Sequence, residues 1–184
     1  MSLTPPGGLC YNPSMKKTNM ALVGFMGSGK TLVSNRLAQL SGKDVVSTDA
    51  LIEAKESRSI NEIFRDSGEA YFRKIEKDIV RDVSLQKNVV IDCGGGVVLD
   101  DDNIRNLKTN AVLIHLEASP DEIWARVKEE THRPLLQVDD PLARIRDLLT
   151  ARQPFYNKAD RSIPTDGKSI DEVCEDIMRQ VGHD

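Results

Sequence analysis

The sequence predicts an α/β protein of three layers, α/β/α, with helices on both faces of a central five-stranded parallel sheet. Three observations carry that expectation. Short apolar runs halt abruptly at glycine or a polar turn, as buried strands do. Longer segments with helix-start signals stand between them, so strand and helix alternate. That alternation calls for right-handed crossovers and parallel pairing. Aromatic residues make up only 4% of the chain, leaving a core of Leu, Ile and Val that suits a sheet covered on both faces.

Taken in order, residues 1–19 carry Pro5, Pro6, Gly7, Gly8 and Pro13 with little apolar content, and read as a flexible leader. Residues 20–184 read as a single domain. Its first strand is Met20-Ala21-Leu22-Val23, stopped by Gly24, and a helix pattern follows from Lys30 to Leu40. Asp44–Ser47 is a short second strand. The stretch from Asp49 to Gln86 is largely helical, with Ser59-Ile60-Asn61-Glu62 a capping box inside it. Val89-Val90-Ile91 is the third strand and runs into Cys93-Gly94-Gly95-Gly96. The run Asp100-Asp101-Asp102 caps the next helix. Ala111–Leu116 is the fourth strand; Ser119-Pro120-Asp121-Glu122 then opens a helix with cap, first-turn proline and capping glutamate together. Thr131–Asp140 is irregular, Pro141–Arg152 helical, Ser162–Thr165 a fifth strand, and Ser169-Ile170-Asp171-Glu172 caps the last helix.

Composition bounds the function. At 184 residues the chain suits one compact domain, able to bury roughly 70% of its unfolded surface without disulfides. Lys+Arg 25 against Asp+Glu 29 gives a net charge of −4, which argues against a general nucleic-acid or anionic-membrane binder. No apolar run approaches a membrane span of roughly 20 residues. Cys10, Cys93 and Cys174 are odd in number and scattered, which reads as a reduced, cytoplasmic protein.

In a parallel sheet, ligands bind beyond the carboxyl ends of the strands, here the loops after Val23, Val46, Ile91 and Leu116. After the first strand stands Gly24-Phe25-Met26-Gly27-Ser28-Gly29-Lys30-Thr31, a complete phosphate loop between strand and helix. Its glycines let backbone amides converge on phosphates, and the helix amino terminus adds its dipole. Lys30 can reach the β- and γ-phosphates, while the Thr31 hydroxyl can ligate Mg²⁺. The loop predicts nucleoside triphosphate binding, with Gly27, Ser28, Gly29, Lys30, Thr31 and Leu32 as contacts. It does not separate kinase, GTPase and motor ATPase. No guanine-reading Asn-Lys-x-Asp segment directly follows the later strands, and length and acidity favour a small-molecule kinase.

Further motifs make the chain resemble shikimate kinase from Ala21 to Val181. These are the form of the phosphate loop; Asp49 after the second strand; Gly68-Glu69-Ala70-Tyr71-Phe72-Arg73 with Glu76; the triple glycine Gly94-Gly95-Gly96; Arg133-Pro134-Leu135-Leu136; and Arg152-Gln153-Pro154-Phe155-Tyr156. The resemblance implies a P-loop kinase fold with a substrate-binding helical region near 48–86 and a lid near 129–142. It also implies ATP and Mg²⁺ as cofactors, shikimate as acceptor through its 3-hydroxyl, and a monomer. Asp49 would orient or deprotonate the attacking hydroxyl. Arg73 and Arg152 offer planar forks for a carboxylate, with Glu76 three residues on to orient Arg73. Alone, that Arg/Glu spacing reads as a surface ion pair. Arg133 would deliver positive charge from the lid to the transferring phosphoryl group. Arg126 and Ser169 would contact the nucleotide, an exposed helix face being the other reading of Arg126.

The match departs at one place. The family usually carries an acid two residues before Asp49, where this chain has Ser47, and Asp92 ends the third strand instead. Asp92 therefore either replaces the missing acid around the metal or bonds loop amides. Cys93 reads as a packed thiol. The rival functions are a gluconate or nucleoside monophosphate kinase, and a nucleotide-binding module that has lost catalysis.

Overall fold

The computed structural model describes residues 17–128, 136 and 138–182. Five parallel strands form one sheet in the order β2-β3-β1-β4-β5: β1 (Asn19–Val23), β2 (Asp44–Ser47), β3 (Val89–Asp92), β4 (Ala111–Glu117) and β5 (Arg161–Pro164). The central strands β1, β3 and β4 are buried almost throughout, as strands covered on both faces must be. Along β1, side chains alternate between two cores. Met20 and Leu22 pack with Leu37 of α1 (Lys30–Ser41) and Ile177 of α7 (Ile170–Val181). Ala21 and Val23 face the other way, toward Ile52 of α2 (Thr48–Glu56), Ile79 of α3 (Ile60–Ser84) and Leu107 of α4 (Asp101–Asn110). A third cluster joins Phe25 to Ile123 of α5 (Pro120–Val127), Ile145 of α6 (Pro141–Tyr156) and Leu136.

The expected capping boxes at Ser59 and Ser169 are both present. Three boundaries differ from expectation, each for a local reason. The first strand begins at Asn19, one residue inside the stretch expected as leader, whose residues 1–16 lie outside the described residues. The Asn19 side chain donates to Gln86 O at 2.7 Å and accepts from Val89 N at 3.1 Å, which makes a polar residue part of the sheet. Lys17 is tied to Asp160 at 3.0 Å. Helix α6 continues past Arg152 through Pro154 to Tyr156; Asn157 N caps the Gln153 carbonyl at 3.0 Å, and Tyr156 is buried in the core. Helix α3 is broken at Gly68, whose φ of 80° and ψ of 169° turn the chain between two helical pieces. That left-handed geometry favours glycine.

Candidate active site

The carboxyl ends of β1, β3 and β2 lie side by side, and their registers decide what meets what. Asp92 is the ladder partner of Leu22 on one side and of Ser47 on the other. The phosphate loop after β1 therefore faces the end of β3, and the acidic start of α2 lies just beyond it.

Within the loop, Gly27 and Gly29 adopt φ of 76° and 90°, and a side chain on Gly27 would strike Val127. Ser28 is buried, and its hydroxyl finds no hydrogen-bond partner among the described residues. Lys30 folds over the loop, donating to Gly24 O at 3.1 Å and Phe25 O at 3.0 Å. The Thr31 hydroxyl donates to Asp92 Oδ2 at 2.7 Å. A hydroxyl and a carboxylate are hard oxygen donors that suit Mg²⁺, and the pair fits the place where a P-loop protein keeps this ion. Leu32, on the first turn of α1, is exposed.

Arg126 is not an idle surface residue. Its guanidinium bonds Gly27 O at 3.2 Å, Thr165 O at 3.2 Å and Glu122 Oε1 at 2.9 Å, bracing the phosphate loop against the segment that follows β5. Ser169 opens α7, its hydroxyl committed to the capping box with Glu172. Arg133 and most of the expected lid, residues 129–135 and 137, lie outside the described residues.

Beside the loop lies a cavity of about 170 Å³, walled by Met26, Ile60, Phe64 and Phe72 and carrying Asp49, Arg73, Glu76 and Arg152 around the triple glycine. It gathers every substrate residue expected from the sequence. Arg73 Nη1 donates to Glu76 Oε2 at 2.8 Å, while Nε and Nη2 hold Glu69 Oε1 at 3.2 and 3.0 Å. Burial opposes the Arg73 charge, but Glu76 and Glu69 outweigh it and hold its pKa above the ordinary value. Glu76 is buried; that burial raises its pKa despite Arg73. Arg152 donates to Gly95 O at 3.1 Å and stacks 5.3 Å over the Phe25 ring. Burial likewise raises the pKa of Asp49, with Lys30 pulling it down and Asp92 pushing it up.

The glycines are spacers. A Cβ on Gly94 would overlap the Asp49 carboxylate, and one on Gly96 would overlap the Arg73 guanidinium. Two participants escaped sequence reasoning. Glu69 lies inside the Gly68–Arg73 motif, but its grip on Arg73 depends on a rotamer. Thr48 is fully buried, its hydroxyl accepting from Gly94 N at 2.9 Å, and nothing in its type or spacing announces that. Cys93 is buried, and burial raises its thiol pKa well above the ordinary value, so it packs rather than reacts.

A phosphate loop at the head of the central strand, beside a small cavity with two acids and two guanidinium groups, defines a P-loop phosphotransferase with a small anionic acceptor. Comparison with known proteins narrows the class. The family model for shikimate kinase matches residues 26–182. The shikimate kinase of Thermodesulfovibrio yellowstonii is 44% identical over 162 residues, covering 88% of this chain and 94% of that protein. That of Caldanaerobacter subterraneus is 46% identical over 161 residues, with the same coverage of each. Among solved structures, shikimate kinase from Acinetobacter baumannii in complex with shikimate superposes with a TM-score of 0.85 at 32% identity, covering 90% of this chain and 93% of that one. The Aquifex aeolicus enzyme gives 0.79 at 31%, covering 89% and 96%. The chain belongs to the shikimate kinase family.

Proposed function

We propose a division of labour for the reaction that family membership assigns, ATP-dependent phosphorylation of shikimate in aromatic biosynthesis. The loop amides and Lys30 hold the β- and γ-phosphates. Arg73 and Arg152 grip the shikimate carboxylate, Glu76 orients Arg73, and the backbone of Gly94–Gly96 lies against the ring. Asp49 accepts a hydrogen bond from the 3-hydroxyl and takes its proton as that oxygen attacks the γ-phosphorus in line, while the bond from that phosphorus to the bridging oxygen breaks and ADP leaves. Burial favours the protonated acid, which suits a group that must receive a proton. Arg133, from the lid, supplies positive charge to the transferring group, and Arg126 with the segment after β5 borders the nucleotide.

The observation that carries this reading is the single cavity joining Asp49, Arg73 and Arg152 to Met26 of the phosphate loop. Thr31 would hold Mg²⁺ with Asp92 beside it, and the ion would supply neutralisation of phosphate charge. Asp92, partnered in the ladder by the neutral Ser47, provides the carboxylate next to Thr31. In Asp92→Asn, Mg²⁺ should be needed at several-fold higher concentration for half-maximal activity, and Mn²⁺ should bind the nucleotide complex more weakly. Unchanged metal dependence removes that role.

All these groups except Arg133 belong to the described residues of one chain, which supports a monomeric working unit. No described helix is long and apolar enough to cross a membrane, and we place the reaction in the cytoplasm, where buried Cys93 and Cys174 would stay reduced. A coupled assay of ADP release tests the substrate directly. Shikimate should support release, while gluconate and nucleoside monophosphates should not. Release with none of them, despite ATP binding, would point to a catalytically silent module.

A further inference from the structure

We infer that Thr48 is a positioning residue for phosphoryl transfer: its hydroxyl ties the start of α2 to the glycine loop and so sets where the Asp49 carboxylate stands. The inference rests on the role proposed above for Asp49. Thr48 is fully buried between Ser47, the ladder partner of Asp92, and Asp49 itself. Its Oγ1 accepts from Gly94 N at 2.9 Å and leans toward Asp92 O at 3.4 Å as donor. Both partners lie on the far side of the β2–β3 ladder, so one hydroxyl bridges the segment bearing the acid to the segment bearing the glycines.

Helix capping does not account for this hydroxyl. Ser47 already caps α2, its Oγ accepting from Ala50 N at 3.3 Å. What the Thr48 bridge does control is a gap with almost no slack. Gly94 and the Asp49 carboxylate are so close that a single added carbon would overlap them. A small change in the separation of α2 from the glycine loop therefore moves the Asp49 carboxylate relative to the acceptor hydroxyl. Displacements on the order of 1 Å at a reacting group can lower a rate about 100-fold. Burial at this depth also leaves little room for water to replace the bridge.

The test compares Thr48→Val, which keeps the shape and loses the hydroxyl, with Thr48→Ser, which keeps the hydroxyl. Thr48→Val should lower kcat by about 10- to 100-fold, with ATP affinity measured by calorimetry nearly unchanged. Thr48→Ser should retain a kcat close to that of the unaltered protein. Introduced into Asp49→Asn, Thr48→Val should cause little further loss in kcat, because the group it positions is already gone. Equal kcat in the Val and Ser variants would overturn the inference. So would a full additional loss in the Asp49→Asn background, or a fall in ATP affinity as large as the fall in kcat. If Thr48→Val does not fold, Thr48→Cys, a poor hydrogen-bonding isostere of Ser, enters the same comparison with the same expectation. Should Asp49→Asn itself keep full activity, the role of Asp49 fails, and the fault lies there rather than with Thr48.

Discussion

The nucleotide half and the acceptor half of the site are built on opposite plans. The phosphate loop is one contiguous segment between β1 and α1, and it works largely through backbone: its glycines turn, its amides converge, and Lys30 folds over it. The acceptor cavity draws side chains from α2, α3 and α6 around the bare backbone of the glycine loop, brought together by the sheet order. A contiguous backbone cradle fails when its dihedral angles fail. A cavity assembled from distant segments fails when any one spacing changes, and it can fail selectively.

Glycine substitutions separate the two plans most sharply. Gly27 has a φ of 76° and a side chain there would meet Val127, so Gly27→Ala should lose nucleotide affinity and thermal stability together. Gly94 has no such backbone demand, but its added carbon would displace the Asp49 carboxylate. Gly94→Ala should cut kcat by about 100-fold while ATP binding, followed by calorimetry, is preserved. Parallel losses of kcat and ATP affinity in Gly94→Ala would mean that the halves are not independent.

Next in size is Arg152→Ala. The guanidinium reaches the cavity from α6 and rests on Phe25 of the loop, so it touches both halves. Charge-assisted hydrogen bonds to a substrate carboxylate contribute about 1.5–3 kcal/mol, or roughly 10- to 100-fold in affinity. The KM for shikimate should rise by that factor, with ATP affinity nearly intact; equal loss of both would show that Arg152 serves chiefly to support the loop.

The same contrast decides what was legible in the sequence. The phosphate loop could be read outright because its chemistry is written in consecutive residues, with Gly27, Lys30 and Thr31 each at a required spacing. The central strands β1, β3 and β4 could be read because burial on two faces makes them short and largely apolar. Arg73, Glu76 and Arg152 were found through motif resemblance, yet their convergence depends on the order β2-β3-β1-β4-β5, which local patterns do not encode. Asn19 looks like leader from its local sequence because its strand role comes from side-chain bonds to Gln86 and Val89, far along the chain. The local sequence ends α6 at Arg152 because Pro154 argues against helix, while the burial of Tyr156 favours continuing it. Thr48 and the bracing action of Arg126 were invisible for the same reason: both are defined by partners distant in sequence.

A smaller effect tests the energetic cost of the assembled half. Burial raises the pKa of Asp49 above its ordinary value near 3.8, so the folded protein holds that proton more tightly than the unfolded chain. Stability therefore falls as pH rises from that ordinary value through the folded-state pKa, and at neutral pH the ionised carboxylate is a net burden. Asp49→Asn should remove the burden. Nucleotide-free Asp49→Asn should melt a few degrees higher at pH 7, the gap closing as pH falls toward 4, while losing activity. A lower Tm at pH 7 would show that the attraction of Lys30 outweighs burial at this position.

The smallest expected effect concerns Glu69, which decides whether the acceptor half is open or already occupied. Its carboxylate takes the Nε and Nη2 edge of Arg73, leaving Nη1 to Glu76. That edge is the planar fork a substrate carboxylate would use, so the two compete. The Glu69 side chain is 63% exposed, and an ion pair so exposed contributes about 0–1 kcal/mol, equivalent to at most roughly fivefold in affinity. Glu69→Gln weakens the competitor while Glu76 still orients the guanidinium. The KM for shikimate should therefore fall by about two- to fivefold at low salt, with kcat unchanged. Added salt should erase the difference, because it screens an exposed pair in the unaltered protein and has no such pair to screen in the variant. A rise in KM would assign Glu69 the opposite part, that of a second support holding Arg73 in place for the substrate.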